Sequence, residues 1–386
     1  MSGMDAAVKR MMNVGIDTGL RDLSIGQPDI PIPDDIIEAG IKAMRGGRNG
    51  YTMKNGMPEL VERIAQCNPG VDAQDVIITA GGSEAVAIAI ESVCAPGGTV
   101  IMPDPAWPNY RTLCESLGIG MVPYSVGGFG TPFFDMDAIE DGLKGGAKLI
   151  IANSPANPSG AVATEDELRA LYEMAEKYDA YIISDEAYRH IVFDGGTCAP
   201  SLFDFDVTQD SDDKRRVFVV RTFSKIFCMT GMRLGYLIVP PSMMVRASVL
   251  HGSTVGCAPA GAQIMGIKAL DYLDREQKKL AALYKSRFEL AKLILGDLMP
   301  TQDIDHMGAF YLWITSPTGV DADELVRRMR AKGVIVSSGD AYSFYPTHSV
   351  RISLTAPENV LTDVFTSLRE ALLEPVGAGS DAMADA

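Results

Sequence analysis

Short apolar runs recur along the first two thirds of the chain, and stretches with helical periodicity separate them. Seven of these runs are rich in Val and Ile and almost continuously apolar, which is typical of strands covered on both faces. They are 76–79, 99–102, 120–124, 148–153, 180–184, 217–221 and 234–239. Helical patterns lie between them at 83–94 and at 164–178, where Thr164 and Glu167 have the spacing of a capping box. This alternation predicts an α/β domain with a large, mostly parallel seven-stranded sheet between helices.

The last third of the chain has a different pattern. A helical stretch at 267–297 is long enough to link two domains. Beyond it the elements predicted are a strand at 309–314, a capped helix at 321–331, strands at 334–337 and 350–354, and a helix at 358–373. They indicate a smaller α+β domain. We therefore expect a large domain over 46–285, a small domain formed by 1–45 and 286–374, and a disordered tail over 375–386.

Composition and charge narrow the class of protein. The chain has 386 residues, of which 47% are hydrophobic, so it can build a sizeable core over two or three domains. With 34 Lys and Arg against 50 Asp and Glu, the net charge of −16 argues against nucleic acid or an anionic membrane as the main partner. The sequence has neither an apolar leader segment nor a run of about 18 apolar residues, so we expect a cytoplasmic protein.

Cysteine and histidine usage gives no sign of a metal centre. The six cysteines are widely scattered without a CxxC pair, and the four histidines are isolated from one another. Zinc sites and redox dithiols need closely spaced ligands or thiols. We therefore predict reduced thiols and no metal site.

Two basic residues follow the strand predicted at 217–221. Lys225 comes just after its carboxyl end, where α/β sheets bind ligands. Partial burial beside other cations would lower the pKa of this lysine and make it a nucleophile able to form an imine. Arg233, together with the hydroxyls of Thr222 and Ser224, could hold a phosphate, because guanidinium groups suit phosphate oxygens. Taken singly, a Lys or an Arg is more often a surface group.

A Gly-Gly-Ser turn at residues 81–83 joins a predicted strand to a predicted helix. Glycines let backbone N–H groups approach an anion closely, and the helix N-terminus favours negative charge. Ser83 is a candidate helix N-cap and hydroxyl donor. By itself, Gly-Gly-Ser at such a junction is more often simple turn chemistry. The sequence also matches neither the Walker A motif nor the G-x-G-x-x-G fingerprint.

Polar residues also follow two other predicted strands. Asp185 ends a strongly apolar strand, where a buried carboxylate is costly unless it has a cationic partner such as a protonated ring nitrogen. Tyr188 and Asn157, the latter in an Asn-Pro-Ser-Gly loop, could both donate to a phenolate oxygen. The alternative is structural, with Asp185 as a helix N-cap, Tyr188 in the core and Asn157 in a simple turn.

An aromatic residue and an arginine complete the candidate set. Trp107 stands between prolines as a rigid surface that could stack on a cofactor ring, although a core Trp would look the same. Arg351 lies inside an apolar strand and needs an anionic partner, either a substrate carboxylate or an internal carboxylate. The whole set combines an imine-forming Lys, an Asp for a ring nitrogen, phenolate donors, a stacking ring and phosphate donors. These are the requirements of pyridoxal 5′-phosphate.

The chain resembles class I/II aminotransferases of the fold type I pyridoxal-phosphate superfamily, in particular aspartate aminotransferases. The matching motifs are Asp185-Glu-Ala-Tyr188, Ser224-Lys225 followed by Thr230-Gly-Met-Arg233-Leu-Gly235, and Asn157-Pro-Ser-Gly160. The match runs from Ser24-Ile-Gly26-Gln-Pro-Asp29 to Arg351-Ile-Ser353, which is most of the chain. The resemblance implies the fold type I architecture, a pyridoxal-phosphate-dependent transaminase and an amino-acid and a 2-oxo-acid substrate.

The resemblance also implies a role for each site residue. Lys225 would form the imine with the cofactor and then move a proton, with Asp185 and Tyr188 as the other catalytic residues. The implied cofactor-binding set is Lys225, Gly82, Ser83, Trp107, Asn157, Asp185, Tyr188, Thr222, Arg233 and Tyr51. Gly26, Asn157 and Arg351 would bind the substrate, with Arg351 on the α-carboxylate. Tyr51 matches a tyrosine that reaches the neighbouring subunit's cofactor phosphate, which implies a homodimer with shared active sites.

The amino donor is less well determined. Ser159 and Met232 replace the usual Thr and the frequent aromatic residue, away from the chemistry. The sequence shows no motif for the second Arg that binds a distal carboxylate in some aspartate enzymes. Aspartate with 2-oxoglutarate is the favoured pair, since many family members without that motif are aspartate or broad-specificity enzymes. Alanine, aromatic or branched-chain donors, and the lyase chemistry of C–S β-lyases or aminocyclopropane-carboxylate synthases, are the alternatives on this scaffold.

Overall fold

The computed structural model describes residues 19–127, 131–196, 198–209, 214–299 and 304–375. The strands are β1 (Arg21–Asp22), β2 (Val76–Thr79), β3 (Thr99–Asp104), β4 (Gly120–Ser125), β5 (Leu149–Asn153), β6 (Tyr181–Asp185), β7 (Val217–Thr222), β8 (Gly235–Ile238), β9 (Tyr311–Thr315), β10 (Val334–Ile335), β11 (Ser337–Ser338) and β12 (Ser349–Ser353). The α-helices are α1 (Asp34–Arg45), α2 (Pro58–Gln66), α3 (Gly82–Val93), α4 (Pro108–Leu117), α5 (Met136–Lys144), α6 (Glu165–Lys177), α7 (Phe203–Asp206), α8 (Phe223–Ile226), α9 (Met244–Thr254), α10 (Ala260–Leu270), α11 (Leu273–Leu295), α12 (Ala322–Ala331) and α13 (Glu358–Leu373).

A seven-stranded sheet forms the centre of the fold, with the spatial order β2-β8-β7-β6-β5-β3-β4. All seven strands predicted from the apolar runs are in it. Strand β8 runs antiparallel to both of its neighbours, and the other paired strands are parallel. The predicted α/β fold with a mostly parallel sheet is therefore confirmed.

Helices cover both faces of this sheet, which explains why its strands are apolar throughout. In β6, Ile182 packs into a core cluster with residues of α5 and α6, whereas Ile183 packs on the other face with α3. Both side chains are fully buried. Helix α6 begins at the predicted capping box, in which Thr164 accepts from the Glu167 N–H and Glu167 accepts from the Thr164 N–H.

The smaller elements contain two corrections to the predicted pattern. The stretch at 267–297 is not one helix, because the chain bends at residues 271–272 between α10 and α11. There the Asp271 carboxylate pairs with Arg63 of α2 at 2.8 Å, which ties the bend to the large sheet's helical layer. The strand predicted at 334–337 divides in two, since β10 pairs with β1 whereas β11 joins β12.

A three-stranded antiparallel sheet, β11-β12-β9, packs with α12, and α13 packs against α11 and α12. Strand β1 joins this region by its parallel pairing with β10, whereas α1 packs against α10. The domain boundaries expected at 46 and 286 stay a prediction, and residues 376–386 of the expected tail lie outside the described residues. Among the helices described, none has the length and apolar character needed to cross a membrane.

Candidate active site

A cavity of about 370 Å³ opens at the carboxyl ends of β5, β6 and β7. Asn153, Asp185 and Thr222 are the last residues of these strands, and all three line the cavity. Eleven of the twelve predicted site residues are in its wall: Gly26, Gly82, Ser83, Trp107, Asn157, Asp185, Tyr188, Thr222, Lys225, Arg233 and Arg351. Tyr51 is not, and its side chain is 99% exposed on the surface. The sheet therefore gathers residues that are far apart in sequence.

Lys225 extends into the cavity from the short helix α8, which starts directly after β7. The Thr222 hydroxyl caps this helix by accepting from the Ser224 N–H at 3.1 Å. The Lys225 ammonium donates to the Gly26 carbonyl at 2.6 Å. Burial, together with the positive charges of Arg351 and Arg233, lowers the pKa of Lys225 from 10.5 to about 8 despite the opposing charge of Asp185. The neutral, nucleophilic amine is therefore far more populated near neutral pH than in an exposed lysine.

Asp185 is buried at the end of β6, and its hydrogen-bond partners are neutral groups. Its carboxylate accepts from the Tyr110 hydroxyl and from the Ala187 N–H, the latter at 3.1 Å. Burial raises the pKa of Asp185 from 3.8 to about 6, against the lowering effect of these two donors. Such a carboxylate would be stabilised by a cationic group entering the cavity.

An anion cradle forms where β2 turns into α3. Gly81 is the N-cap residue at φ +89°, and Gly82 and Ser83 are the first two helical residues. The prediction that Ser83 is the N-cap is therefore wrong. Gly81 takes this position, because the turn needs a positive φ that glycine adopts without strain. A Cβ on Gly81 would lie 2.5 Å from the Arg233 guanidinium. Arg233 donates to the Thr230 carbonyl at 2.9 Å and points over this turn. The free N–H groups of the first turn and this guanidinium suit a phosphate.

Arg351 lies on β12 in a cage of aromatic rings and oxygen acceptors. Its guanidinium carbon is 4.3 Å from the Tyr311 ring centroid and 4.8 Å from that of Tyr342. It donates to the Asn157 side-chain oxygen at 2.9 Å and to the Ser24 carbonyl. Its Nε is buried and has no hydrogen-bond partner among the described residues. No carboxylate from the described chain pairs with it, so a carboxylate ligand would complete its environment.

The remaining predicted residues form the aromatic wall of the cavity. Trp107 is half-buried at the N-cap of α4, with Pro108 at the first helical position, and meets Tyr110 edge-on at 5.3 Å. The Tyr188 hydroxyl shares a 2.8 Å hydrogen bond with the Tyr311 hydroxyl. Since Asn157 uses its oxygen on Arg351, its amide nitrogen is the group that can donate to a ligand oxygen.

Three further residues of the site were not predicted from the sequence. Tyr110 bonds to Asp185, and Tyr311 and Tyr342 enclose Arg351. Tyr110 stands three residues after Trp107 at the start of a helix, a spacing that places both on one face and could have indicated it. The two later tyrosines carry no local signal, because they reach the cavity through the fold of the smaller sheet. Within the described ranges no group of three or more His, Cys, Asp or Glu could hold a metal ion.

Comparisons with known proteins agree with this geometry. Residues 18–368 match the family model for aminotransferase class I and II. An aspartate aminotransferase of Thermococcus kodakarensis is 33% identical over 335 residues, covering 86% of this chain and 84% of the relative. A probable aspartate/prephenate aminotransferase of Thermus aquaticus is 27% identical, covering 96% of this chain and 95% of the relative.

Solved structures give the same result. The structure of Thermus thermophilus aspartate aminotransferase with maleate superposes with a TM-score of 0.81 at 26% identity, covering 95% of each chain. The family match spans most of the chain, and both the relatives and the fold agree with it. The chain therefore belongs to the class I and II aminotransferase family, has the fold type I architecture, and is an aminotransferase.

Proposed function

We propose that this aminotransferase uses pyridoxal 5′-phosphate to move an amino group from an L-amino acid, with aspartate favoured, to a 2-oxo acid such as 2-oxoglutarate. The observation that carries the proposal is one cavity in which Lys225, Asp185, Arg233 and Arg351 all converge. The lysine has a lowered pKa, whereas the carboxylate has a raised one. Perturbed groups of this kind in one cleft are typical of catalytic sites.

The described residues fit the cofactor at each of its polar ends. The N–H groups of Gly82 and Ser83 and the Arg233 guanidinium would hold its phosphate, where a Cβ on Gly81 would crowd the arginine. Asp185, which has no arginine or lysine among its hydrogen-bond partners, would pair with its ring nitrogen. The Tyr188 hydroxyl and the Asn157 amide would donate to its phenolate oxygen. Trp107 would stack on its ring.

When bound, pyridoxal phosphate supplies an aldehyde for amines and a protonated ring that takes up electrons from the substrate's Cα. Lys225 is the base of the reaction, since its neutral Nζ can remove the Cα proton, hold it and return it at a neighbouring carbon. Asp185 would keep a proton on the ring nitrogen, because its buried negative charge stabilises the protonated form. Arg351 orients the substrate by its α-carboxylate, while residues 24–27 line the same cavity and help to exclude water.

The relatives support aspartate as the donor. The cavity, however, shows no additional cation that could bind the side-chain carboxylate of aspartate among the described residues. Several relatives are aspartate aminotransferases, and the Thermus thermophilus neighbour is described with maleate, a dicarboxylate. Among the described residues that line the cavity, the cations are Lys225, Arg233 and Arg351. Each already has a role in the proposal. A distal carboxylate would therefore need a group from elsewhere, such as the partner subunit.

Absorbance spectra with single amino acids test the reaction and name the donor. The purified protein with pyridoxal phosphate is mixed with aspartate, alanine, phenylalanine or leucine in turn, and then with 2-oxoglutarate or pyruvate. Transamination converts the visible cofactor band to that of the amine form, and the right 2-oxo acid restores it. Release of pyruvate and ammonia without an acceptor would instead identify a lyase. The absence of any cofactor band in the wild-type protein would overturn the proposal.

The Lys225→Ala variant tests the role assigned to the lysine. We expect it to bind the cofactor without a covalent bond and to lose transamination. Lys268→Ala is a matched control, because it removes a lysine from an exposed ion pair outside the cavity. Substantial turnover by the Lys225 variant would contradict the assignment.

The proposed enzyme is a homodimer in which Tyr51 contacts the partner's cofactor phosphate. One buried polar side chain anchors the loop that carries Tyr51: Gln263 accepts from the Met57 N–H at 2.7 Å and donates to the Thr52 hydroxyl at 3.0 Å. Several large apolar side chains are exposed: Met44, Tyr51, Met53, Val245, Val249 and Val255. Such a surface is typical of a subunit interface. The expected cytoplasmic location stays a prediction.

The Tyr51→Phe variant is expected to release cofactor more readily, with little change in the absorbance of bound cofactor. Dialysis followed by phosphate analysis measures this. Tyr345→Phe is the control, because Tyr345 is also exposed but has no assigned contact. Equal retention by the two variants would contradict the cross-subunit contact.

A further inference from the structure

His251 of α9 is a fully buried histidine outside the cavity. Its side chain has no exposed surface, although α9 itself lies on the outside of the fold beside α3. Its Nδ1 lies 2.7 Å from a carboxylate oxygen of Glu84, and its Nε2 lies 2.8 Å from the backbone carbonyl of Lys54. Both ring nitrogens therefore have a partner.

Both partners are hydrogen-bond acceptors, and this fixes the proton count. A neutral imidazole carries one N–H and cannot donate to a carboxylate and a carbonyl together. The His251–Glu84 pair must therefore hold one extra proton, either on the ring or on the carboxyl group. The second Glu84 oxygen accepts from the Ala80 N–H, and Glu84 stands in the first turn of α3. Both features stabilise the carboxylate, so the proton belongs on the imidazole.

The pair connects two segments that meet the cofactor phosphate in the proposed function. Glu84 directly follows Ser83, and the Ala80 carbonyl accepts from Arg233. Lys54 belongs to the loop that carries Tyr51, and its side chain passes so close to α9 that a Cβ on Gly252 would lie 2.6 Å from its Cε. The His251 ring thus contacts both residues 80–84, which would bind the phosphate, and the loop that carries Tyr51.

We propose that His251 is a buried imidazolium that positions residues 80–84 and the Tyr51 loop for phosphate binding. The positive ring also offsets the Glu84 carboxylate, a negative charge in the same first helical turn that would hold the phosphate. The other charged groups on the packed elements are Glu91 of α3, the Lys54 ammonium, and Arg246 of α9, which donates to the Glu91 carbonyl. The effect on phosphate binding rests on the proposed function, whereas the charge on the ring does not.

Nitrogen NMR of the full-length protein, labelled only at histidine, tests the charge without cofactor. The chain has four histidines, so the His251 signals are assigned by their loss in the His251→Gln variant. We expect both ring nitrogens of His251 to show protonated shifts at pH 7.5. In Glu84→Gln the ring is expected to become neutral, with one protonated nitrogen. A single protonated nitrogen in the wild-type protein would overturn the proposal. If His251→Gln folds poorly, single Gln variants of the other three histidines assign the His251 signals by elimination.

Equilibrium dialysis with pyridoxal phosphate tests the positioning role. His251→Gln leaves the Glu84 charge unpaired, so we expect the dissociation constant to rise by about tenfold or more. Adding Glu84→Gln to that variant should restore most of the affinity, because the unpaired charge is gone. His348→Gln, at an exposed histidine, is the matched control and should change nothing.

The two proposals fail in different ways. If the wild-type protein binds no pyridoxal phosphate, the proposed function is wrong, yet the NMR result on His251 stands. If the wild-type protein binds it and the double variant is no better than His251→Gln alone, the charge-offset role is wrong. Unchanged affinity in His251→Gln would overturn the positioning role as a whole.

Discussion

Asp185 and Glu186 are neighbours in sequence, both buried, and yet they lie in opposite electrostatic environments. Asp185 faces the cavity, where its hydrogen-bond donors are a phenol and a backbone N–H, and its pKa rises to about 6. Glu186 faces the back of the same sheet edge, where Arg221 contacts it at 2.8 Å and Arg189 at 3.6 Å. Burial would raise the pKa of Glu186, but these arginines outweigh it and the pKa lies below 4.5.

The difference separates a structural carboxylate, Glu186, from Asp185, to which the proposed function assigns a ligand. Glu186 also accepts from the hydroxyls of Ser184 and Ser201, so its partners come from the chain itself. Asp185 keeps a buried carboxylate with no cation among its hydrogen-bond partners, which costs stability until a cationic ligand enters. The opposite pKa shifts of these adjacent acids thus support the proposal that the cavity side of the sheet carries the chemistry.

The largest effect should come from the structural acid. Glu186→Gln leaves the Arg221 guanidinium buried without its counter-charge, and breaking one side of such a pair costs about 3–5 kcal/mol of unfolding free energy. Urea unfolding of the cofactor-free protein at pH 7.5 measures it. Glu38→Gln on the exposed face of α1 is the control and should stay within about 0.5 kcal/mol. A loss below about 1 kcal/mol for Glu186→Gln would mean that the pair is not the stabilising feature argued here.

The second effect is on activity, where Asp185 rather than Glu186 should matter more. Asp185→Asn removes the charge that faces the ligand, and loss of such an electrostatic group lowers kcat by about 10²–10³-fold. Steady-state transamination with saturating cofactor measures it. Folded Glu186→Gln enzyme should lose far less, because Glu186 lines no part of the cavity. Equal losses in the two variants would show that the back of the sheet edge also takes part in the chemistry.

The sequence was sufficient to single out Asp185 of this pair as a candidate site residue. Asp185 was predicted because an acid at the end of an apolar strand needs an unusual partner, and the seven apolar runs placed the strands within a few residues. The period of two along a strand puts adjacent residues on opposite faces, so a separate role for Glu186 was also within reach. Arg221 was not identified as the partner of Glu186, because an arginine inside an apolar strand does not show on which face of the sheet its side chain lies.

The parts that could not be predicted depend on contacts between distant segments. Tyr311 and Tyr342 enclose Arg351 only because a second sheet folds against the first, and no local pattern encodes that packing. The bend between α10 and α11 likewise makes a long-range contact, the Arg63–Asp271 ion pair across 208 residues. Helical periodicity continues through such a bend, so it predicted one helix.

The third effect is a dependence of stability on pH. Between pH 3.8 and about 6 the folded protein holds a proton on Asp185 that the unfolded chain has lost, so stability falls as pH rises through this window. The loss is up to about 3 kcal/mol at 1.36 kcal/mol per pKa unit. Asp185→Asn cannot ionise, so the cofactor-free variant should gain on the wild type as pH rises from 4 to 8. Urea unfolding at both values measures the change, and a difference that does not vary with pH would contradict the raised pKa.

The smallest effect concerns the hydroxyl that holds Asp185 in place. Tyr110→Phe removes one hydrogen bond to the buried carboxylate and so raises the pKa of Asp185 further. We expect this to cost about 1–2 kcal/mol of transition-state stabilisation, which is roughly tenfold in kcat/KM. Tyr124→Phe is a close control, because Tyr124 is also fully buried but donates to the Ile151 carbonyl at 2.9 Å instead. Both variants should lose similar stability, since each leaves a buried acceptor without its donor. Only the Tyr110 variant should lose activity, and a parallel loss in both would mean that Tyr110 acts through packing rather than through Asp185.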